Sequence, residues 1–151
     1  QLPTRWIDQG ATQAKPIARV QTRYFSGLLE VLLAKEVGDR TAWQTMLKGN
    51  GADQDLEQIR QHLMTSCAQG IADLQLQHGE AAFQLLEDAP ETKISYPVLS
   101  WPEKVKAHNF DKQAVVEGTL MGIKGQYLML DTGVLNMRKF GGYEVEIKVA
   151  A

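Results

Sequence analysis

Arg5 and Glu30 are the two side chains of this 151-residue sequence whose types and settings could serve a reaction. Arg5 opens a short helix with Trp6. Glu30 falls in Leu28-Leu-Glu-Val-Leu-Leu33, at the border of an apolar helix face from which a carboxylate can point into a cleft. A guanidinium offers phosphate a planar fork of donors, and a glutamate can hold magnesium with few other protein ligands. Together they suit metal-assisted phosphodiester cleavage. A helix-edge glutamate beside an exposed arginine is the plainer alternative, and spacing alone favours it.

Other chemistry is sparse. Asp131-Thr132-Gly133 after Leu-Met-Leu matches the aspartic-protease pattern, but that mechanism needs two such loops sharing a proton, and only one is present. A turn aspartate bonding its own backbone is the better reading. His62, His78 and His108 are isolated, so each reads as a surface or helix-end residue, not a metal ligand. The lone Cys67 cannot form an internal disulfide. Its place in the stripe Ile59, Leu63, Cys67, Ile71 makes it a buried thiol, and a reducing, cytoplasmic setting fits. No glycine-rich phosphate loop or Gly-x-Ser-x-Gly elbow occurs.

The elements that must position these residues follow from periodicity. A short helix around Arg5 to Gln9, a strand over Ile17 to Tyr24 and a helix over Phe25 to Val37 read as an incomplete α/β unit spanning 1–50. The Lys48-Gly-Asn-Gly-Ala52 stretch reads as a linker into a helical segment, 51–91. There Asp53 or a neighbour caps one long helix carrying Leu56, Ile59, Leu63, Cys67, Ile71 and Leu74, with Gly79 as its stop. A shorter helix over Glu80 to Leu86 follows. Residues 92–151 read as an antiparallel β-meander or small barrel: a strand over Ala114 to Met121, a hairpin turn at Asp131-Thr-Gly133, a second turn at Gly141-Gly142, and a final strand. In that strand Tyr143, Val145, Ile147 and Val149 alternate with Glu144, Glu146 and Lys148. The fold class is α+β.

Net charge is −2, which argues against a protein that grips nucleic acid with its whole surface. Residues 1–24 nonetheless carry Arg5, Lys15, Arg19 and Arg23 against Asp8 alone, so DNA or RNA would be met there, with Glu30 as the metal-binding carboxylate, although solvated faces of alternate sign explain charges this sparse at least as well. No run approaches the roughly 18 apolar residues of a membrane helix, and no leader is evident.

The block GIKGQYLMLDTGVLNMRKFGGYEVEI, with LPTRWIDQGA near the start, resembles a bacterial family of uncharacterised proteins, domain of unknown function 2797. The resemblance implies a longer N-terminus, with a cysteine-rich, zinc-binding segment and two strands leading into LPTRWIDQGA. By that standard this chain is an N-terminally truncated member. The order of Arg-Trp helix, strand and Leu-Leu-Glu helix is also similar to GIY-YIG nuclease domains. That likeness implies catalytic roles for Arg5 and Glu30 beside tyrosines of earlier strands. Gln9 stands where such nucleases often carry histidine, and glutamine cannot accept a proton at neutral pH, so the site reads as incomplete.

Two functions therefore stand open. One is a nucleic-acid-associated protein with a GIY-YIG-like site and magnesium at Glu30. The other is a non-enzymatic protein- or peptide-binding module using Tyr127 and the surface side chains of Lys124, Gln126 and Arg138, along the edge near Gly122 to Tyr127. An unsatisfied edge on the Ile17 to Tyr24 strand would further favour self-association.

Overall fold

The computed structural model describes residues 4–38, 42–49, 51 and 53–149. Asn50 and Ala52 of the expected linker lie outside them. The chain forms two compact units, each assembled from separated stretches: residues 1–11, 42–51 and 95–151 in the first, 12–41 and 52–94 in the second. The architecture is α+β, and every strand pair is antiparallel.

In the second unit, β1 (Gln13–Ala14) pairs with β4 (Thr92–Lys93), and β2 (Ala18–Val20) pairs with β3 (Phe83–Leu85) in the register Ala18↔Leu85, Val20↔Phe83. The sequence reading placed a helix over Glu80 to Leu86. Only a 3-10 turn, Glu80–Ala82, forms before the chain extends, because pairing with β2 and burial of Phe83 outweigh weak local helix preference. Helix α2 (Arg23–Leu33) starts at Thr22, whose hydroxyl accepts from the Phe25 amide at 3.2 Å, and ends four residues before Val37, which is exposed.

The single long helix expected after the linker is two. Helix α4 (Leu56–Ser66) is capped by Asp55, whose carboxylate accepts from the Gln58 amide at 2.9 Å, and α5 (Ala68–His78) ends at Gly79. The kink sits at Cys67, at φ −101° and ψ 8°. Two residues earlier the Thr65 hydroxyl donates to the Gln61 carbonyl at 2.9 Å, a local bond of the kind that bends helices. Beyond the kink Gly70 lies against Leu32 of α2, closer than a β-carbon would allow. Leu29, Leu33, Leu63, Cys67, Ile71, Ala82 and Phe83 make this unit's core.

The first unit holds α1 (Thr4–Asp8), α3 (Trp43–Met46) and a three-stranded meander of β5 (Leu120–Lys124), β6 (Tyr127–Leu130) and β7 (Gly133–Asn136). No closed barrel forms among the described residues. Loop segments cover the sheet's margins instead. The Ile123 amide donates to Pro97 O, the Leu99 amide donates to Met121 O, and along β7 the His108 amide donates to Val134 O while the Val134 amide donates to Lys106 O. The hairpin between β5 and β6 turns on Gly125-Gln126. Gly125 has φ +58°, and a β-carbon there would meet the Asp8 carbonyl at 2.2 Å, so glycine is required for both conformation and close approach. The Asp131-Thr-Gly133 turn forms as a two-residue connection, since Leu130 already pairs with Gly133.

The strand expected over Tyr143 to Val149 does not form. After a 3-10 turn at Met137–Phe140 and the Gly141-Gly142 turn, residues 144–149 run on without strand pairing, and all are exposed. Alternation specifies a half-buried strand only where a neighbour covers one face, and here none does.

Candidate functional site

In the first unit the side chains converge on Lys124, the last residue of β5. It was expected at the surface. It is instead only 5% exposed, because β5 turns it inward beneath α3 and the loop that carries Tyr96 and Trp101. Its Nζ donates to the Met46 carbonyl at 3.1 Å and lies 5.0 Å from the Trp101 ring centroid and 5.8 Å from that of Tyr96. Trp101 packs flat onto Gly49, where no side chain could be accommodated. The Tyr96 hydroxyl is shared between the carbonyls of Ala11 (2.8 Å) and Ile7 (3.1 Å), which ties the end of α1 to the box. Burial pushes the Lys124 ammonium below the usual lysine range, and burial with nearby Asp8 pushes the Tyr96 hydroxyl above its own. Two ring faces and one carbonyl stabilise a cation from inside the fold.

The other residues of that group separate. Tyr127 is buried and stacks on Trp43, with ring centroids 5.8 Å apart and planes 4° from parallel. Gln126 is half-buried, its amide donating to Asp8 O at 2.8 Å. Arg138 is exposed, 3.8 Å from the Asp8 carboxylate. The β5 edge near Gly122 is occupied by the chain's own Pro97 to Ser100, so a peptide could not add there without displacing them.

His108 is buried, not at the surface as expected. The Gln113 amide nitrogen donates to Nδ1 at 3.0 Å, leaving Nε2 to donate to Thr132 Oγ1 at 3.2 Å, whose hydroxyl donates to Glu117 O at 2.7 Å. Burial, with Lys106 nearby, holds the imidazole pKa below its ordinary value. Asp131 bonds a neighbouring segment, not its own turn: its carboxylate accepts from the Thr119 amide at 2.8 Å. The network fixes the Glu117 to Thr119 segment and the His108 loop against the β6–β7 turn.

Arg5 lies exposed on α1 of the first unit, whereas Lys15, Arg19, Arg23 and Glu30 belong to the second, so neither unit by itself joins Arg5 to Glu30. Lys15 is engaged with Glu57 at 2.9 Å, and Arg60 grips the same carboxylate at 2.7 Å. Arg60 first, then Lys15, holds the Glu57 carboxyl down at about 2. Arg19 of β2 is exposed, and so are Arg23 and Tyr24 in the first turn of α2. Glu30 is exposed, not half-buried. Among the described residues no three His, Cys, Asp or Glu side chains are grouped to hold a metal ion.

Tyr96, Trp101, Met46 and Asp111 escaped the sequence reading. Tyr96-Pro97 and Trp101-Pro102 carried the available signal, two aromatic residues held on an extended, proline-stiffened arm.

No helix among the described residues is long and apolar enough to cross a membrane. No curated protein and no solved structure matches the chain. The family model described as "Protein of unknown function (DUF2797)" matches residues 1–145, and the chain belongs to that family.

Proposed function

We propose that this protein is a non-enzymatic binding module whose C-terminal β unit recruits another polypeptide, with Tyr143–Val149 adding as a strand to its partner. The observation that carries this reading is the mismatch between pattern and burial in that segment. Tyr143, Val145, Ile147 and Val149 are 49%, 43%, 74% and 88% exposed, although their alternation with Glu144, Glu146 and Lys148 is that of a half-buried strand. Among the described residues no backbone hydrogen bond reaches 144–149. Covering such side chains is worth about 1.5–3 kcal/mol each, so a pattern without a covering surface points outward. Tyr143 anchors the base of the segment. Its ring lies 5.3 Å from Phe140 and 6.5 Å from Phe110, and its hydroxyl donates to Asp111.

A photo-reactive residue at Ile147 should give polypeptide adducts in cells, while one at the exposed Gln77 should not. Adding Val145→Asp and Val149→Asp should abolish the adducts. Equal labelling from both positions, or adducts that survive the aspartates, would overturn the reading.

A second reading, nucleic-acid association, is favoured by Arg19 and Arg23, which are exposed and have no ion pair among the described residues, and by the accessible ring of Tyr24 in the same unit. Backbone charge contacts beside a stacking ring suit a single strand. On this reading single-stranded DNA or RNA binds with a logarithmic salt slope of about −0.7 per phosphate contacted. Arg19→Glu with Arg23→Glu then lowers the slope by one to two contacts. Arg5→Glu and Glu30→Gln test the GIY-YIG-like extension separately. Binding no tighter than to a control protein of equal charge, or unchanged in the double variant, would end it.

A further inference from the structure

We infer that the polypeptide recruited by Tyr143–Val149 is a second copy of this chain, paired antiparallel through the same segment. This rests on the binding role proposed above and names its partner. The argument is register. In an antiparallel pair, residues directly opposite share a face, so side chains of the same parity must meet. Centring the pair on Ile147 sets Ile147 against Ile147, Val145 against Val149 twice, and Glu146 against Lys148 twice. Every apolar residue from 145 to 149 then faces an apolar one, and each charge faces its opposite.

Alternatives fit less well. Centring on Glu146 also aligns the apolar row and sets Glu144 against Lys148 twice, but it places Glu146 against Glu146 at the centre. Parallel pairing in register stacks Glu144, Glu146 and Lys148 each on its own kind. A one-residue slip puts carboxylates opposite valine and isoleucine. The two-fold antiparallel arrangement is also isologous, each copy presenting the same surface to the other.

The segment is already suited to this pairing. Lys148 and Glu146 form an ion pair at 3.4 Å, which places them on one side of the extended chain, and both remain largely exposed. In the dimer those charges exchange partners across the strands. A two-stranded ribbon is marginal alone, so the tether of each strand at Tyr143, Phe140 and Phe110 is what reduces the entropy of ordering it. The resulting dimer is weak and concentration-dependent.

Sedimentation velocity across micromolar to millimolar protein tests this. The native chain should pass from monomer to dimer, and Lys148→Glu should weaken dimerisation roughly tenfold or more by setting four carboxylates together. Glu146→Lys combined with Lys148→Glu should restore it, because only the register centred on Ile147 regains both opposite-charge pairs. These positions are exposed, and circular dichroism confirms that each variant is folded. A native chain that stays monomeric, a Lys148→Glu variant that dimerises like the native chain, or failure of the double exchange would each overturn the proposal. The photo-reactive probe at Ile147 separates the two levels. A product of twice the chain's mass supports self-pairing, an adduct with a different chain overturns self-pairing but leaves the binding role, and no adduct removes both.

Discussion

Phe83→Ala abolishes the cooperative helical structure of the second unit at physiological temperature. Phe83 is fully buried, its ring 5.2 Å from that of Phe25 and 6.3 Å from that of His78. It also supplies one end of the β2–β3 register through Val20, and its carbonyl accepts from the Gln75 side chain at 3.0 Å, which fastens α5 to the strand. Removing a ring from such a site costs about 3–5 kcal/mol, a large part of the stability a small domain possesses. Urea denaturation followed by far-ultraviolet circular dichroism reads this directly, since α2, α4 and α5 all belong to that unit. Phe83→Leu, which keeps most of the volume, should lose less than half as much. A loss below about 1 kcal/mol for the alanine variant would show that the unit is not built on this residue.

Lys124 carries the second large effect, and its sign depends on charge, not size. Lys124→Glu places a carboxylate against the Met46 carbonyl and two electron-rich ring faces, and an uncompensated buried charge of this kind costs about 3–5 kcal/mol. Lys124→Met keeps the stem and removes the desolvated ammonium, so it leaves stability unchanged or raises it by about 1 kcal/mol at neutral pH. The pH dependence follows from the lowered pKa. Between the folded value and the unfolded one, near 10.4, the unfolded chain binds the extra proton, so stability contributed at this site rises with pH and levels off above that range. The raised Tyr96 pKa opposes this only above pH 10, where the unfolded tyrosine ionises first. Lys124→Met should flatten the rise below pH 10, as measured by urea midpoints and Trp101 fluorescence. A methionine variant that loses several kcal/mol, or keeps the native pH slope, would show that the ammonium is not held as described.

Local patterns were legible in the sequence where the physics is local. The cap at Asp55, the stop at Gly79, the apolar face of α2 and the turn at Asp131 all follow from a few neighbouring residues. What depends on distant partners was not legible. Phe83 extends because β2 is there to pair with it, sixty-three residues from Val20 (83 minus 20). Lys124 reads as a surface residue by composition, and only the arrival of Trp101, Tyr96 and α3 buries it. Arg19 and Arg23 were legible as members of a basic segment, but Lys15 in the same segment was not legible as the partner of Glu57, forty-two residues on (57 minus 15). The Tyr143–Val149 segment is the reverse case: its pattern is as clear as any in the chain, yet beyond Tyr143 no strand among the described residues pairs with it.

Amide hydrogen exchange of residues 144–149, read by mass spectrometry at increasing protein concentration, tests that point most directly. In dilute protein these amides should exchange at close to the rate of an unstructured peptide, and they should slow as protein concentration rises and strands pair. Strong protection already present in the dilute monomer would mean that the segment is paired within its own chain, and the binding role would have no basis.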